Sequence, residues 1–231
     1  MKLLIFSLLL IACALILNGI AEKYGIYTQS MAEAMKDTVI VIDPGHGGED
    51  GGAVGINGCI EKELNLEISL ILNDLLQASG VKTVMTRTED VMLYDQAIPG
   101  KKKLQDVKNR VTIAEEQENS LTVSIHMNTY PVSKYSGAQV YYSSNHKDST
   151  YAAKLIQNNI AEQLQPQNNR ETKAATSAIY LLHNVKTPAV LIECGFISNQ
   201  EEAELLCSDS YRHKIACVIY TSIMEYLNKE V

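Results

Sequence analysis

The chain has 231 residues, of which 46% are hydrophobic and 20% are charged, and its formal net charge is −7. This length and balance are typical of one well-cored globular domain with a short appendage, and they exclude a disordered protein. The negative charge argues against a nucleic-acid-binding protein, which needs clustered Lys and Arg. The short basic run Lys101–Lys103 does not change this conclusion, and we expect it to be a solvated loop.

The N-terminal segment is apolar and long. Lys2 precedes an uncharged run over residues 3–20 that is dominated by Leu, Ile and Ala. As a helix, this run would extend roughly 27 Å, close to the hydrocarbon thickness of a bilayer. We therefore predict an N-terminal hydrophobic helix over residues 1–21, which is either a cleaved signal peptide or a signal-anchor, and the lack of a clear cleavage motif favours the anchor. We expect residues 22–37 to form a polar tether and residues 38–231 to form one exported globular domain.

The cysteine pattern indicates neither a regular disulfide framework nor a Cys-type structural zinc site. The number of cysteines is odd and no CxxC pair occurs among them; they are Cys13, Cys59, Cys194, Cys207 and Cys217. We expect most of them to be small buried apolar residues, although the sequence leaves one disulfide open.

From residue 38 onward, β-branched runs alternate with helical patterns. Strands are predicted over residues 38–43, 81–86, 121–126, 138–142 and 189–193. Helices are predicted over residues 63–76, 105–118, 149–163 and 210–228, and a loop over 88–104. The alternation predicts an α/β fold, a three-layer sandwich with a largely parallel mixed sheet and helices on both faces.

Three of the predicted strands lead into side chains that suit metal or acid–base chemistry. His46 follows the first strand, His126 ends the third, and Glu193 ends the last. Because the carboxyl ends of parallel strands meet at one edge of a sheet, we expect these residues to lie together. Glu61 begins the next helix and can face the same edge. Two imidazoles with carboxylates suit a catalytic Zn²⁺ site, which keeps one position open for water.

Each of these residues also has a simpler explanation. The DPGHGG segment over residues 43–48 could be only a turn that ends a strand, and Glu61 only a solvated residue at a helix start. The combination of residues at strand ends argues against these alternatives. We expect His146, His183 and His213 to have surface or packing roles. The sequence has no HExxH, no Gly-x-Ser-x-Gly and no complete nucleotide-binding glycine motif.

Four ordered blocks resemble the type 3 N-acetylmuramoyl-L-alanine amidases, which are zinc-dependent peptidoglycan hydrolases. The blocks are VIVIDPGHGG (39–48), EK (61–62), SIHMN (124–128) and PAVLIECGFISN (188–199), and the similarity extends over residues 38–228. The resemblance implies that His46, Glu61 and His126 bind Zn²⁺ and that Glu193 is the catalytic carboxylate.

Four further residues are expected to have supporting or substrate-side roles. The resemblance implies such roles for Arg87, Arg110 and Asn128. Asp43 lies three residues before His46, so it could orient an imidazole as a carboxylate partner, or it could help the turn.

A catalytic domain without wall-binding repeats, behind an N-terminal anchor, resembles the germination-specific amidases of sporulation. The resemblance implies a role in spore-cortex maturation, as a step towards muramic δ-lactam. It implies peptidoglycan glycan strands with stem peptides as substrate and attachment to the membrane through the N-terminal segment. An activating or zinc-stabilising partner protein is a further expectation. The alternatives are another exported zinc hydrolase, such as a carboxypeptidase or deacetylase, and a degenerate, non-catalytic wall-binding module.

Overall fold

The computed structural model describes part of the chain, namely residues 16, 19, 20, 37–94 and 101–229. The predicted N-terminal helix and tether therefore lie outside the described residues, apart from a few isolated positions. No helix in the described part of the chain has the length and hydropathy needed to cross a membrane.

Six strands form one mixed sheet. They are β1 (Val39–Pro44), β2 (Lys82–Met85), β3 (Ser120–Asn128), β4 (Gln139–Tyr142), β5 (Lys173–Ala174) and β6 (Ala189–Phe196). Their order across the sheet is β2-β1-β3-β6-β4-β5. The first four strands in this order are parallel, whereas β4 runs antiparallel to β6 and carries β5 parallel to itself. The predicted α/β class with a largely parallel mixed sheet is confirmed.

Helices cover both faces of this sheet. They are α1 (Glu61–Ala78), α2 (Lys102–Glu115), α3 (Lys147–Gln163), α4 (Tyr180–Asn184), α5 (Gln200–Leu206) and α6 (Asp209–Leu227). On one face, α6 packs against α1 and α3 over the larger hydrophobic core. On the other face, α2 and the short α4 close a smaller core. His126 and Glu193, two of the predicted site residues, lie side by side near the carboxyl ends of β3 and β6.

The apolar stripe of α1 explains how this helix is held on the sheet. Leu64, Ile68, Leu72 and Leu76 recur at a spacing of four residues, and all four are buried. Burial of each such side chain contributes about 1.5–3 kcal/mol. The helix ends just before Gly80, whose φ of +80° is a left-handed conformation that glycine adopts without a steric cost. The stripe therefore fixes the rotation of the helix and, with it, the direction of its first residue, Glu61.

The structure corrects the predicted start of α2 and the expected role of Lys101–Lys103. Only Lys101 lies before the helix; the next two lysines form its first turn. Their ammonium groups pair with Glu49 at 2.8 Å and with Asp50 at 2.7 Å. These ion pairs involve a distant loop, so the local sequence pattern does not reveal them.

Three short elements were not predicted. They are β5, α4 and α5, and none is longer than seven residues. The α5 helix has a recognisable N-cap, because the Asn199 side chain accepts a hydrogen bond from the backbone N–H of Glu202. Strand β6 also continues three residues beyond the predicted end, up to Phe196.

A disulfide joins Cys59 to Cys207, with their Cα atoms 6.5 Å apart. Among the described cysteines, Cys194 is free and buried and Cys217 is free and exposed. The expectation that most cysteines are buried apolar residues is therefore wrong for this part of the chain. The disulfide connects the loop before α1 to the residue that follows α5.

Candidate metal centre and active site

The turn after β1 brings His46 close to His126. His46 has a φ of +61°, an uncommon conformation for a residue with a side chain. A Cβ atom on the preceding Gly45 would overlap the imidazole of His126, so only glycine fits at this position. As a result, the rings of His46 and His126 lie with their centroids 5.0 Å apart.

Glu61 lies between the two imidazoles. It is the first residue of α1, and only 4% of its surface is exposed. Its Oε1 accepts a hydrogen bond from the backbone N–H of Met127, and its Oε2 accepts one from that of Ala53. Oε1 also lies 3.2 Å from His46 Nε2 and 3.0 Å from His126 Nδ1. Burial alone would raise the pKa of Glu61, but the hydrogen bonds from the two histidines outweigh this effect and lower it.

These three side chains form a candidate metal site. His46, Glu61 and His126 each offer one ligand atom, and the three atoms all lie within 4.8 Å of one another. Two imidazole nitrogens with one carboxylate oxygen are a donor set that catalytic Zn²⁺ sites use, with a further position left for water or substrate. The residues present therefore fit the expected metal.

Glu193 lies beside this cluster and outside the ligand set. It is the register partner of His126 on the neighbouring parallel strand. Its Oε2 is buried and has no hydrogen-bond partner among the described residues. Burial raises the pKa of Glu193 to about 7; the two nearby histidines oppose this shift, and the Glu61 carboxylate adds to it. A carboxyl group with such a pKa can both accept and donate a proton near neutral pH.

A pocket of about 260 Å³ opens over these groups. His46, His126 and Glu193 line one side of this pocket, and Leu181 and Leu191 contribute an apolar wall. The pocket is therefore a place where a substrate bond can lie next to both the candidate metal site and the free carboxylate.

Asp50 is a site residue that the sequence analysis missed. Its Oδ2 lies 3.0 Å from Nδ1 of His46, and its Oδ1 lies 2.7 Å from Nζ of Lys103. A carboxylate on the outer nitrogen of a ligating imidazole fixes the tautomer that leaves the other nitrogen free for a metal. The available signal was a carboxylate four residues after His46 in the same glycine-rich loop.

Asp43 does not contact either imidazole. Its Oδ1 accepts hydrogen bonds from Thr86 and Arg110, and its Oδ2 accepts one from Ser124, all at 2.6–2.7 Å. Of the two roles considered for Asp43, the structure shows the one that holds the turn, and the carboxylate partner of His46 is Asp50.

Arg87 and Arg110 support the backbone around the site. Arg87 donates to the carbonyl groups of Pro44, Gly45 and Lys62. Arg110 donates to the carbonyl groups of Pro44 and His46 at 2.7 Å. Both side chains are 3% exposed, so these contacts favour a supporting role over direct substrate binding.

The remaining predicted residues lie further from the cluster. Asn128 ends β3, two residues beyond His126, and its function stays a prediction. His146 caps α3 by accepting a hydrogen bond from the backbone N–H of Asp148. His183 lies in α4, and His213 lies on exposed α6 surface near Asp209. These three histidines have the surface or packing positions that the sequence predicts.

Comparisons with known proteins show what the chain is similar to. Residues 40–225 match the N-acetylmuramoyl-L-alanine amidase family. The germination-specific N-acetylmuramoyl-L-alanine amidase of Bacillus subtilis is 38% identical over 194 residues, which cover 83% of this chain and 81% of that protein.

Solved structures show the same similarity. The CwlD amidase from Clostridioides difficile, solved in complex with the GerS lipoprotein, has a TM-score of 0.78 and 40% identity. The match covers 82% of this chain and 98% of the CwlD chain. The amidase AmiC2 of Nostoc punctiforme has a TM-score of 0.71 and 32% identity, covering 84% of this chain and 98% of its own. The chain belongs to the N-acetylmuramoyl-L-alanine amidase family.

Proposed function

We propose that this amidase uses Zn²⁺ to hydrolyse the amide bond between N-acetylmuramic acid and L-alanine in peptidoglycan. The observation that carries the proposal is the cluster of His46, Glu61 and His126 with the unligated carboxylate of Glu193 beside it. In this proposal the three clustered residues hold the metal. Bound Zn²⁺ would polarise the amide carbonyl and acidify the attacking water.

Glu193 moves the proton in this reaction. Its carboxylate takes a proton from the attacking water, so that a C–O bond forms at the carbonyl carbon. It then delivers that proton to the L-alanine nitrogen as the C–N bond breaks. The buried Oε2 without a partner suits this exchange, because no competing hydrogen bond has to break first.

Product analysis tests the activity. The full-length chain in detergent, supplied with Zn²⁺, is incubated with purified peptidoglycan, and the products are identified by mass spectrometry. Intact stem peptides that begin with L-alanine support the amidase. Shortened stems would indicate a carboxypeptidase, and loss of acetyl groups a deacetylase. If the protein binds zinc but releases no product from peptidoglycan, a non-catalytic wall-binding module would be favoured.

A role in the spore cortex is the finer proposal. Its support is the 38% identity to a germination-specific relative that covers most of both chains. We expect the chain to act in an extracytoplasmic compartment, with the N-terminal segment over residues 1–21 as its membrane attachment. Digestion of cortex and vegetative peptidoglycan in parallel tests the preference, and equal rates on both would contradict a cortex-specific enzyme.

A partner protein is the last part of the proposal. Its support is the related CwlD amidase, which was solved in complex with a lipoprotein. The proposed metal site has three protein ligands and one open position. A partner protein that covers this open position would increase the zinc affinity of the site. We expect purified protein alone to hold less than one zinc per chain. Stoichiometric zinc after dialysis, measured by atomic absorption, would contradict a zinc-stabilising partner.

A further inference from the structure

The row of register-paired residues that contains His126 and Glu193 continues onto a third strand, β4. Glu193 is the register partner of His126 on one side and of Gln139 on the other. Register partners on adjacent strands project from the same face of the sheet. Gln139 therefore lies directly beside Glu193, on the side away from the candidate metal ligands.

Arg170 is fixed next to this glutamine. Its Nη1 donates to Gln139 Oε1 at 2.9 Å, and its Nε donates to the carbonyl of Ser136 at 2.8 Å. The guanidinium carbon lies 4.7 Å from the ring centroid of Phe196. The side chain is only partly buried, and its Nη2 has no protein acceptor among the described residues. Two hydrogen bonds and an aromatic ring thus hold the guanidinium in place and leave donors facing solvent.

The charge of Arg170 is not neutralised by an ion pair. Within the residues that the structure describes, no carboxylate forms an ion pair with this side chain, and its two acceptors, the Ser136 carbonyl and the Gln139 side-chain oxygen, are neutral. On the opposite side of the site, Lys62, Lys102 and Lys103 are each paired with an acidic residue. The partly buried Arg170 guanidinium therefore lies on the β4 side of the site without a carboxylate partner among the described residues.

The proposed substrate is charged on one side only. The carboxyl group of the muramic acid lactyl chain forms the scissile amide, so the glycan side of the substrate carries no charge. The peptide side carries a free carboxylate on the second residue, a D-glutamate joined to the stem through its side chain. The guanidinium group of an arginine is positively charged and has parallel N–H donors, so it matches a carboxylate in both charge and geometry.

The distances are also compatible. Gln139 lies one strand spacing, roughly 4.8 Å, from Glu193. The Arg170 guanidinium lies on the far side of the Gln139 side chain and donates a hydrogen bond to its Oε1. In an extended peptide, two residues span roughly 7 Å. This length places the second residue's carboxylate near Arg170 when the L-alanine nitrogen is beside Glu193.

We propose that Arg170 binds the free carboxylate of the second stem-peptide residue and thereby selects stems in which that carboxylate is not amidated. This assignment rests on the proposed amidase function. It also fixes the orientation of the substrate, with the peptide towards β4 and the glycan towards the turn after β1.

Two soluble substrates that differ in one group test the proposal. MurNAc-L-Ala-D-Glu has the free carboxylate, and MurNAc-L-Ala-D-isoglutamine has a neutral amide in its place. We expect full-length enzyme with Zn²⁺ to prefer the first by about tenfold in kcat/KM. Arg170→Gln should remove the preference by lowering kcat/KM on the free-carboxylate substrate towards the value on the amide substrate. Arg170→Lys should retain part of the preference, and Lys173→Gln, a nearby exposed cation, should retain all of it.

A merely structural role for Arg170 predicts a different result, because Arg170→Gln would then lower activity on both substrates by the same factor. No preference in the unmodified enzyme would overturn the proposal even if the variant failed to fold. Dissociation constants for the two substrates, measured with Glu193→Gln, separate this proposal from the proposed function. An equal affinity for both would reject the role of Arg170, whereas a tenfold difference without any hydrolysis by the unmodified enzyme would reject the amidase function alone.

Discussion

His126 and Glu193 occupy matched positions on two neighbouring parallel strands, β3 and β6. The pairing places one imidazole and one carboxylate side by side on one face of the sheet. The imidazole contacts Glu61 and joins the candidate metal cluster, whereas the buried carboxylate oxygen makes no hydrogen bond in the described structure. The sheet register thus separates a candidate metal ligand from the carboxylate proposed to transfer the proton by a single strand spacing.

Glu193→Gln should abolish hydrolysis and leave zinc binding intact. The amide keeps the size of the carboxyl group but cannot accept the proton, and loss of general acid–base catalysis costs about 10²–10⁴-fold in rate. Stem-peptide release and zinc content are measured on the same preparation. Glu201→Gln, at an exposed position in α5, is the matched control. A variant that still turns over within tenfold of the normal rate would remove Glu193 from the mechanism.

Asp50→Asn should weaken zinc binding by about 10- to 100-fold. The variant loses the negative charge that stabilises the Nδ1–H of His46, so the imidazole becomes a weaker ligand and its tautomer is less defined. Competition with a chromogenic chelator gives the zinc affinity directly. Glu49→Gln is the control, because Glu49 is the adjacent acidic residue and pairs with Lys102 rather than with a histidine. Equal zinc affinities for the two variants would show that Asp50 does not act through His46.

Much of the site could be predicted because its residues lie at the ends of regular elements. His46 follows β1, and His126 and Glu193 lie near the carboxyl ends of β3 and β6, strands whose apolar β-branched patterns are plain in the sequence. Parallel strands then require these ends to meet at one edge. The position of Glu61 follows from the apolar stripe of α1, which sets the rotation of that helix.

The residues that were missed depend on contacts between distant segments. Asp50 acquires its role from a loop conformation in which His46 takes a positive φ and α2 brings Lys103 alongside. The pairing of Cys59 with Cys207 joins residues 148 positions apart, and neither cysteine lies in a diagnostic motif. Such contacts are set by tertiary packing, which hydrophobic periodicity does not encode.

The buried pair of Asp43 and Arg110 should make stability depend on pH. Burial alone would raise the pKa of Asp43, but the Arg110 guanidinium and the hydroxyl groups of Ser124 and Thr86 outweigh it and hold the pKa below 3.8. A carboxyl group whose pKa is lower in the folded state stabilises the fold above its unfolded pKa. This contribution is therefore fully present at neutral pH and is lost as the pH falls below about 4 towards the folded pKa.

Asp43→Asn tests this dependence. At pH 7 the variant should lose about 1.5–3 kcal/mol of unfolding free energy, because it removes one of the two carboxylates paired with the buried Arg110 guanidinium and leaves Asp106 as the other. Between pH 5 and 3, its stability should fall less steeply than that of the unmodified chain. Urea unfolding at several pH values gives both quantities, and Asp209→Asn, at an exposed position, is the control. Parallel pH curves for variant and unmodified chain would exclude Asp43 as the titrating group.

The disulfide between Cys59 and Cys207 should stabilise both the fold and the metal site. It closes a long loop, and loss of such a crosslink costs about 2–5 kcal/mol of unfolding free energy. It also anchors the loop that leads into Glu61, because Cys59 lies two residues before this carboxylate. Cys59→Ser with Cys207→Ser should therefore lower the melting temperature and weaken zinc binding.

Thermal unfolding and zinc titration of the double variant separate the two effects. Cys217→Ser is the matched control, because Cys217 is free and exposed. Reduction of the unmodified chain should reproduce the double variant, and reduction of the double variant should change nothing further. If the melting temperature fell while zinc affinity stayed the same, the crosslink would act on the global fold alone. The two hydrogen bonds that Glu61 accepts from the backbone N–H groups of Ala53 and Met127 would then be sufficient to hold the carboxylate in place.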